Sequence, residues 1–506
     1  MKESLIFSGN GNPTTFVSVI PIIALLGSIL SIIIFLGPEA VSDYSSFALL
    51  SATALSVILT WLTASVSFSR LREGFTKSAR QILPAVPMLI FISMVATTWM
   101  LSGVVPTLIN YGLKFLNPTF FLALTCISCG AISVLTGSSW STIATIGVAF
   151  MGIGSILGYS AAMIAGAIIS GAYFGDKMSP LSDTTVVASS ACGVDLFQHI
   201  RYMMITSGPA MLIALAVFSI IGMTNGSGMA ASADDMITRL HETFNITPLT
   251  LIIPLITIIL IILRIPTVLT LAASAMLGAA GIFIFQPEIP SRLMGELFGP
   301  GDNALALCRI LWSETQLTTN HELLDSLVTT SGVTGMLPTI ALILSAMLFG
   351  AAMIGTGMLA SLTETFTRRL RRRTSIVGAT VGSGLFLNCC TADQYLSLII
   401  GGNMYRNVYC RFGLEPRLLS RALEDSVSVT SVLIPWNSCG VTQAAVLGVS
   451  TFAYFPYCIF NIMSPIMTMF FAWTGYKVTC LIGKTDDSMA DIDNFASTKV
   501  KIQSAK

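Results

Sequence analysis

Apolar runs alternate with short polar breaks along almost the whole chain, and their lengths predict membrane-crossing helices. Runs at 15–36 and 46–69, with others near 81–113, 202–223 and 246–264, approach or exceed the roughly 20 residues a helix needs to cross a bilayer. Helices, not barrel strands, are expected to carry the fold. Two long runs are interrupted. Residues 118–157 contain the polar stretch "TGSSWST" (Thr136 to Thr142), and 375–404 contain "NCCTADQY" (Asn388 to Tyr395). A lipid-facing helix does not choose such a centre, so each is expected to be a re-entrant hairpin. Two further runs are broken around a proline: "SGAYFGDKMSPLSDTT" at 170–185, within a run from 160 to 192, and "LIPWNSCG" at 433–440, within 422–447. A last crossing is expected at 452–474.

Composition agrees with this pattern. Of 506 residues, 54% are hydrophobic and 10% charged, far below the roughly 25% charged residues of a soluble domain. The net charge of +1 gives no electrostatic case for nucleic acid. Basic residues gather at Arg70, Arg72, Lys77 and Arg80, at Arg264, at "RRLRRR" (368–373), and at Arg406, Arg411, Arg417 and Arg421. The excess of Lys and Arg on cytoplasmic loops places these inside. Loops 224–245 and 287–333 then face outside, the second bearing Glu288, Glu296, Asp302, Glu314, Glu322 and Asp325 as solvated charges and one surface helix. Both termini are expected in the cytoplasm, with 477–506 a polar tail. The first apolar run lacks a signal-peptide pattern and is expected to be retained as a helix. The ten cysteines read as small buried hydrophobes, including the Cys126–Cys129 C-x-x-C, which has no second pair or nearby histidine. His199, His241 and His321 lie near helix ends or in polar loops.

The two interrupted regions read as one unit used twice. A gapless shift of 255 positions sets Thr136 on Thr391, Ser138 on Asp393, Trp140 on Tyr395, Pro180 on Pro435, Ser182 on Asn437 and Gly193 on Gly448. The charge rule makes the copies, about 81–223 and 334–474, run in opposite directions across the membrane. Inverted repeats with interrupted helices in matching positions point to a secondary transporter's midplane site. The expectation is therefore a single transporter domain, 1–476, that is all-α and polytopic, and no enzyme.

A carboxylate near the bilayer centre costs roughly 2.5–3.5 kcal/mol on insertion scales, so one that persists there needs a cavity, a partner or a cargo. Asp176, Asp183 and Asp393 are on that ground the leading ion or proton carriers. On an unbroken helix Asp176 and Asp183 would stand about 10 Å apart; Pro180 is expected to open the helix and turn broken-turn carbonyls toward a cation. Ser179, Ser182 and Thr184 add neutral oxygens, as do Thr136, Ser138, Ser139 and Thr391 at the hairpin tips and Asn437 and Ser438 at the second break. Asp425 is a further candidate, with Glu424 beside it. Competing structural roles stay open: an ion pair of Asp176 with Lys177, helix capping by Asp183, turn chemistry at the tips, and an interfacial salt bridge of Glu424 and Asp425 with Arg421. Hard oxygen donors suit a small hard cation, and a buried carboxyl can hold either that cation or a proton, which suffices for exchange.

The motifs "GAYFGDKMSPLSDTT", "DLFQHI", "TADQYLSLIIGGNMYR", "LSRALEDS", "LIPWNSCG" and "GVSTFAYFPY" together resemble the NhaC family of Na⁺/H⁺ antiporters over most of the chain. The resemblance implies a bacterial cytoplasmic-membrane exchanger of the ion transporter superfamily, a homodimer with a moving, elevator-type transport unit, no cofactor, and Na⁺ and H⁺ as substrates. Some relatives of that family resemble Na⁺- and H⁺-coupled exchangers of malate and lactate. For such a substrate Lys177 and Arg201 are the cationic candidates.

Overall fold

The computed structural model describes residues 13–476, apart from 38–39, 64–67, 84, 116, 226–232, 264, 295–302, 318–324, 326–327, 368–369 and 371. The tail 477–506 lies outside the described residues, as do Arg264, Arg368, Arg369, Arg371, Glu296, Asp302, His321 and Glu322; the Lys77 side chain is likewise not described. Among the described residues nine helices are long and apolar enough to span a membrane, or eleven when each of two bent pairs counts as one span. Thr15–Leu36 and Leu196–Asn225 form as their apolar runs predict. The run at 81–113 instead divides into Ala85–Leu101 and Val104–Phe115. The basic segment before it is a separate amphipathic helix, Phe68–Ile82. Among the described residues the loop 287–333 carries the short helices Glu288–Met294 and Asn303–Trp312, where one surface helix is expected.

Both hairpins form. The first comprises Phe121–Thr136, a turn at Gly137, and a returning arm that starts at Ser139–Thr142, continues through a π turn at Ile143–Gly147 and ends in Val148–Ile156. Arg373–Thr391 and Gln394–Arg411 form the second, turning at Ala392. Both broken helices form as well. Ala161–Met178 stops at Ser179 and resumes as Asp183–Cys192; Pro416–Leu423 runs through a π turn at Glu424–Ser428, loses its helix around Ile434, and resumes as Ser438–Leu447.

The repeat is legible down to single hydrogen bonds. Ser138 and Asp393 are both N-caps, accepting from Ser141 N at 3.2 Å and Leu396 N at 2.8 Å. Behind them Thr136 Oγ1 meets Thr142 Oγ1 at 3.3 Å, and Thr391 Oγ1 meets Ser397 Oγ at 2.7 Å. Every one of these pairs is separated by the same 255 positions. Gly137 turns the first tip at φ +68°; Ala392 does the same work at φ +54° and is the one positive-φ residue other than glycine among the described residues.

How the hairpins face each other follows from their neighbours. Ala161–Met178 packs along Phe121–Thr136 of the first hairpin, but past its break Asp183–Cys192 packs along Gln394–Arg411 of the second. Reciprocally, Pro416–Leu423 lies on the second hairpin, and Ser438–Leu447 reaches Ile143–Gly147 and Val148–Ile156 of the first. Each broken helix changes hairpin at its break, so the hairpins enter from opposite sides and meet tip to tip. Close approach in the first copy depends on missing side chains: a Cβ at Gly171 would stand 2.1 Å from Cys126 O, and one at Gly175 2.2 Å from Gly130 O.

Candidate functional site

Between the tips lies a cavity of about 600 Å³. The first tip and break supply Thr136, Ser138, Trp140, Asp176, Asp183 and Thr184 to its wall, and the second tip supplies Gln394 and Tyr395. Its far wall, Thr257 and Ile261 from Ile252–Ile262 and Thr267, Thr270 and Leu271 from Thr267–Phe285, comes from outside the hairpins and broken helices. No local pattern in the sequence marks those residues as cavity-lining.

Asp176 ends the last turn before the first break, and its partner comes from the hairpin. Oδ2 accepts from Ser139 Oγ at 2.6 Å and from Ser139 N at 3.1 Å. Hydrogen bonds to a charged acceptor are worth about 1.5–3 kcal/mol each, enough to hold the carboxylate in place at the cavity wall. The alternative pairing with Lys177 does not form. Lys177 turns away and forms a buried salt bridge to Asp425, whose Oδ2 also accepts from Thr206 Oγ1 at 2.8 Å and from Thr468 Oγ1. Asp425 is thus fully engaged and does not line the cavity, and its cationic partner is Lys177 rather than Arg421.

Asp183 opens Asp183–Cys192 at the exposed rim of the cavity. The cap of that helix is not Asp183 but Ser182, whose Oγ accepts from Thr185 N at 3.4 Å and lies 2.9 Å from Thr184 Oγ1. Ser179 Oγ accepts from Leu181 N at 3.2 Å. Asp393 is buried at the second tip, and the adjacent Ala392 carbonyl accepts from Ser438 N at 2.9 Å, tying tip to break. Asn437 is spent on structure: its Oδ1 accepts from Cys439 N at 3.1 Å and its Nδ2 donates to Asn388 O at 3.2 Å.

Several carbonyls near the two breaks already have side-chain donors. Lys177 O accepts from Thr185 Oγ1 at 3.2 Å, Val427 O from Asn388 Nδ2 at 2.7 Å, Val429 O from Asn461 Nδ2 at 2.8 Å and Val432 O from Tyr454 OH at 2.8 Å. Buried carbonyls left without donors are costly, and side chains from neighbouring helices satisfy these. The other candidate ion ligands are the carboxylates and hydroxyls. Their arrangement follows the repeat, with one acid and one serine in each matched pair: Asp176 with Ser431, Asp393 with Ser138, Asp183 with Ser438.

An all-helical membrane protein with tip-to-tip hairpins, two interrupted helices and buried acids at the breaks has the architecture of a secondary transporter. The sequence model of the Na⁺/H⁺ antiporter family matches residues 10–195 and 171–476, and the chain belongs to that family. It is 34% identical to the Na⁺/H⁺ antiporter NhaC of Alkalihalophilus pseudofirmus, over 90% of this chain and 95% of that protein. It is 32% identical to the malate-2H⁺/Na⁺-lactate antiporter of Bacillus subtilis, over 92% and 95%. To the arginine/ornithine antiporter ArcD of Halobacterium salinarum it is also 32% identical, over 93% and 94%.

Proposed function

We propose that this protein exchanges Na⁺ for H⁺ across the bacterial cytoplasmic membrane, with Asp176 as the principal carrier and Asp183 and Asp393 as accessory acids. The observation that carries this reading is Asp176 itself: a carboxylate at a helix break, held on one oxygen by Ser139 and lining a cavity of about 600 Å³. Ser139 fits both halves of a cycle. Its hydroxyl donates to the ionised carboxylate between ions, and after rotation its lone pairs add to the ligands of a hard cation. A proton on Asp176 removes the charge that holds Na⁺, so the two occupants exclude one another.

Further parts of the reading rest on the repeat and the family. The hairpins and broken helices move as a body against the helices that form the far wall of the cavity; the protein is a homodimer with both termini in the cytoplasm. An organic-acid substrate is less well served. Its cationic candidates are occupied or misplaced, since Lys177 is bound to Asp425 and Arg201 is exposed and does not line the cavity.

The test is transport in vesicles with an imposed pH gradient. Na⁺ alone should dissipate the gradient, and malate or lactate should add nothing. A gradient that yields only when an organic acid accompanies Na⁺ overturns the reading.

A further inference from the structure

Glu424, the first residue of the π turn Glu424–Ser428, is fully buried, and neither carboxyl oxygen has a hydrogen-bond partner among the described residues. A buried carboxylate with no donor is among the costliest arrangements a membrane protein can hold, whereas a carboxylic acid there carries no charge. Two cations stand near this group: Lys177 is neutralised by Asp425, while Arg421, three residues before Glu424, is buried, lies over the Tyr202 ring at 4.5 Å and makes no hydrogen bond through its guanidinium among the described residues. Cys192, on Asp183–Cys192, is a neutral thiol buried among apolar side chains.

Two contacts give Glu424 a direction. On one side a narrow cleft joins it to Asp176, with Lys177, Thr184, Gln394 and Ser428 between; Asp176, Thr184 and Gln394 also line the large cavity. On the other side Oε2 lies 4.0 Å from His199 Nε2, which is also buried and also without a hydrogen bond. The far nitrogen of His199 has a partner that is compatible with the Nδ1–H tautomer. Ser420 Oγ donates to Arg417 O at 3.1 Å, so it accepts from His199 Nδ1–H at 2.8 Å, and Nε2 is left with a free lone pair turned toward Glu424.

We propose that Glu424 is a second proton site of the exchange cycle, placed between Asp176 and His199, and that this site rather than Asp176 alone couples proton release to Na⁺ binding. This rests on the exchange reading above. A cation arriving at Asp176 adds positive charge across the cleft, which favours loss of the Glu424 proton. The proton leaves Oε2 for His199 Nε2, giving an imidazolium that returns to neutrality as its Nδ1 proton passes to Ser420 Oγ and the Ser420 hydroxyl proton passes to water at the partly exposed Arg417–Glu415 pair. When Na⁺ departs, Glu424 is protonated again. Coupling of this kind is reciprocal, so a protonated Glu424 weakens Na⁺ binding by the same factor.

The decisive measurement is infrared difference spectroscopy of the full chain in lipid, with and without Na⁺ at fixed pH, on the wild type, Glu424→Gln and Glu424→Asp. The wild type should show, beside any such band from Asp176, a second protonated-carboxyl C=O band that falls when Na⁺ is added. That band should be missing in Glu424→Gln and present, shifted, in Glu424→Asp. In vesicles Glu424→Gln should keep Na⁺/Na⁺ exchange while Na⁺-driven proton movement falls roughly 100-fold or more; retained Na⁺/Na⁺ exchange also shows that the variant folds. Carboxyl difference intensity that is unchanged in Glu424→Gln, or an unchanged number of protons moved per Na⁺, overturns the proposal. Failure of the exchange reading shows separately, as wild-type vesicles in which Na⁺ moves no protons, while the dependence of the band on Glu424 still decides whether the proton resides there.

Discussion

Lys177 is bonded to Asp425, 248 positions further along the chain, and not to Asp176 beside it. The bond ties the end of the first helix before its break to the π turn of the second, so the two repeat units share one buried ion pair. With Lys177 neutralised elsewhere, Asp176 keeps its charge for a ligand. Removing one member of such a pair leaves an uncompensated buried charge, at a cost of about 3–5 kcal/mol, whereas replacing both is often neutral. Lys177→Met and Asp425→Leu should each lower the unfolding temperature in detergent sharply, and the double variant should recover most of the loss. Additive losses in that cycle would remove the pair from this role.

Asp176 and Ser139 should separate in transport assays. Asp176→Asn removes the charge and should abolish Na⁺-driven exchange. Ser139→Ala removes one oxygen from the ligands of the bound cation and should raise the Na⁺ concentration for half-maximal activity about 10-fold. Na⁺-dependent fluorescence recovery in vesicles carrying a pH gradient reads both; an Asn variant with wild-type activity would exclude Asp176 as the carrier.

Helix packing at the first hairpin gives a contrast in sign. A Cβ at Gly175 would stand 2.2 Å from backbone oxygen, so Gly175→Ala should destabilise by about 1–3 kcal/mol as two helices are pushed apart. Gly382 has nothing within 4 Å of the same position, and Gly382→Ala should be neutral or stabilising by up to ~1 kcal/mol through helix propensity alone. Thermal unfolding of the two variants side by side tests the packing.

The two tips provide a matched pair of backbone tests. Ala392 holds a left-handed conformation that costs a side-chain-bearing residue roughly 1–2 kcal/mol. Ala392→Gly should relieve part of that cost, offset by the freer unfolded chain, for a gain of at most ~1 kcal/mol. Gly137→Ala should destabilise the protein, because φ is +68° there and a Cβ would meet Leu181 Cβ at 2.6 Å. Equal effects of the two substitutions on unfolding temperature would contradict the assignment of both tips to one turn type.

Much of this architecture is legible in one dimension. The stops at Gly137, Ser179, Ala392 and Ile434 fall where polar or proline-containing stretches interrupt apolar runs, and the 255-position shift found by matching those stretches holds to the hydrogen bonds at Ser138 and Asp393. Spans with less punctuation were harder to place. Thr267–Phe285 and Leu337–Gly355 are apolar and uninterrupted, and nothing local tells that the first of them closes the cavity. The candidate oxygens divide on similar lines. Asn437 and Ser182 look like ligands as residue types, yet each caps a helix, because a helix resuming inside the protein has no water to satisfy its first N–H groups.

By itself, then, the sequence determined that the chain crosses the membrane as helices, where those helices break, and that acids stand at the breaks. Run length, proline and hydrogen-bonding side chains act over a few residues, and those effects are written locally. Only the tertiary structure decided that Ser139 holds Asp176, that Lys177 belongs to Asp425, and that Glu424 faces His199 without a donor. Those partners lie on different helices, and which of them meet depends on how two hairpins pack tip to tip, a matter of shape and close approach that no local pattern encodes.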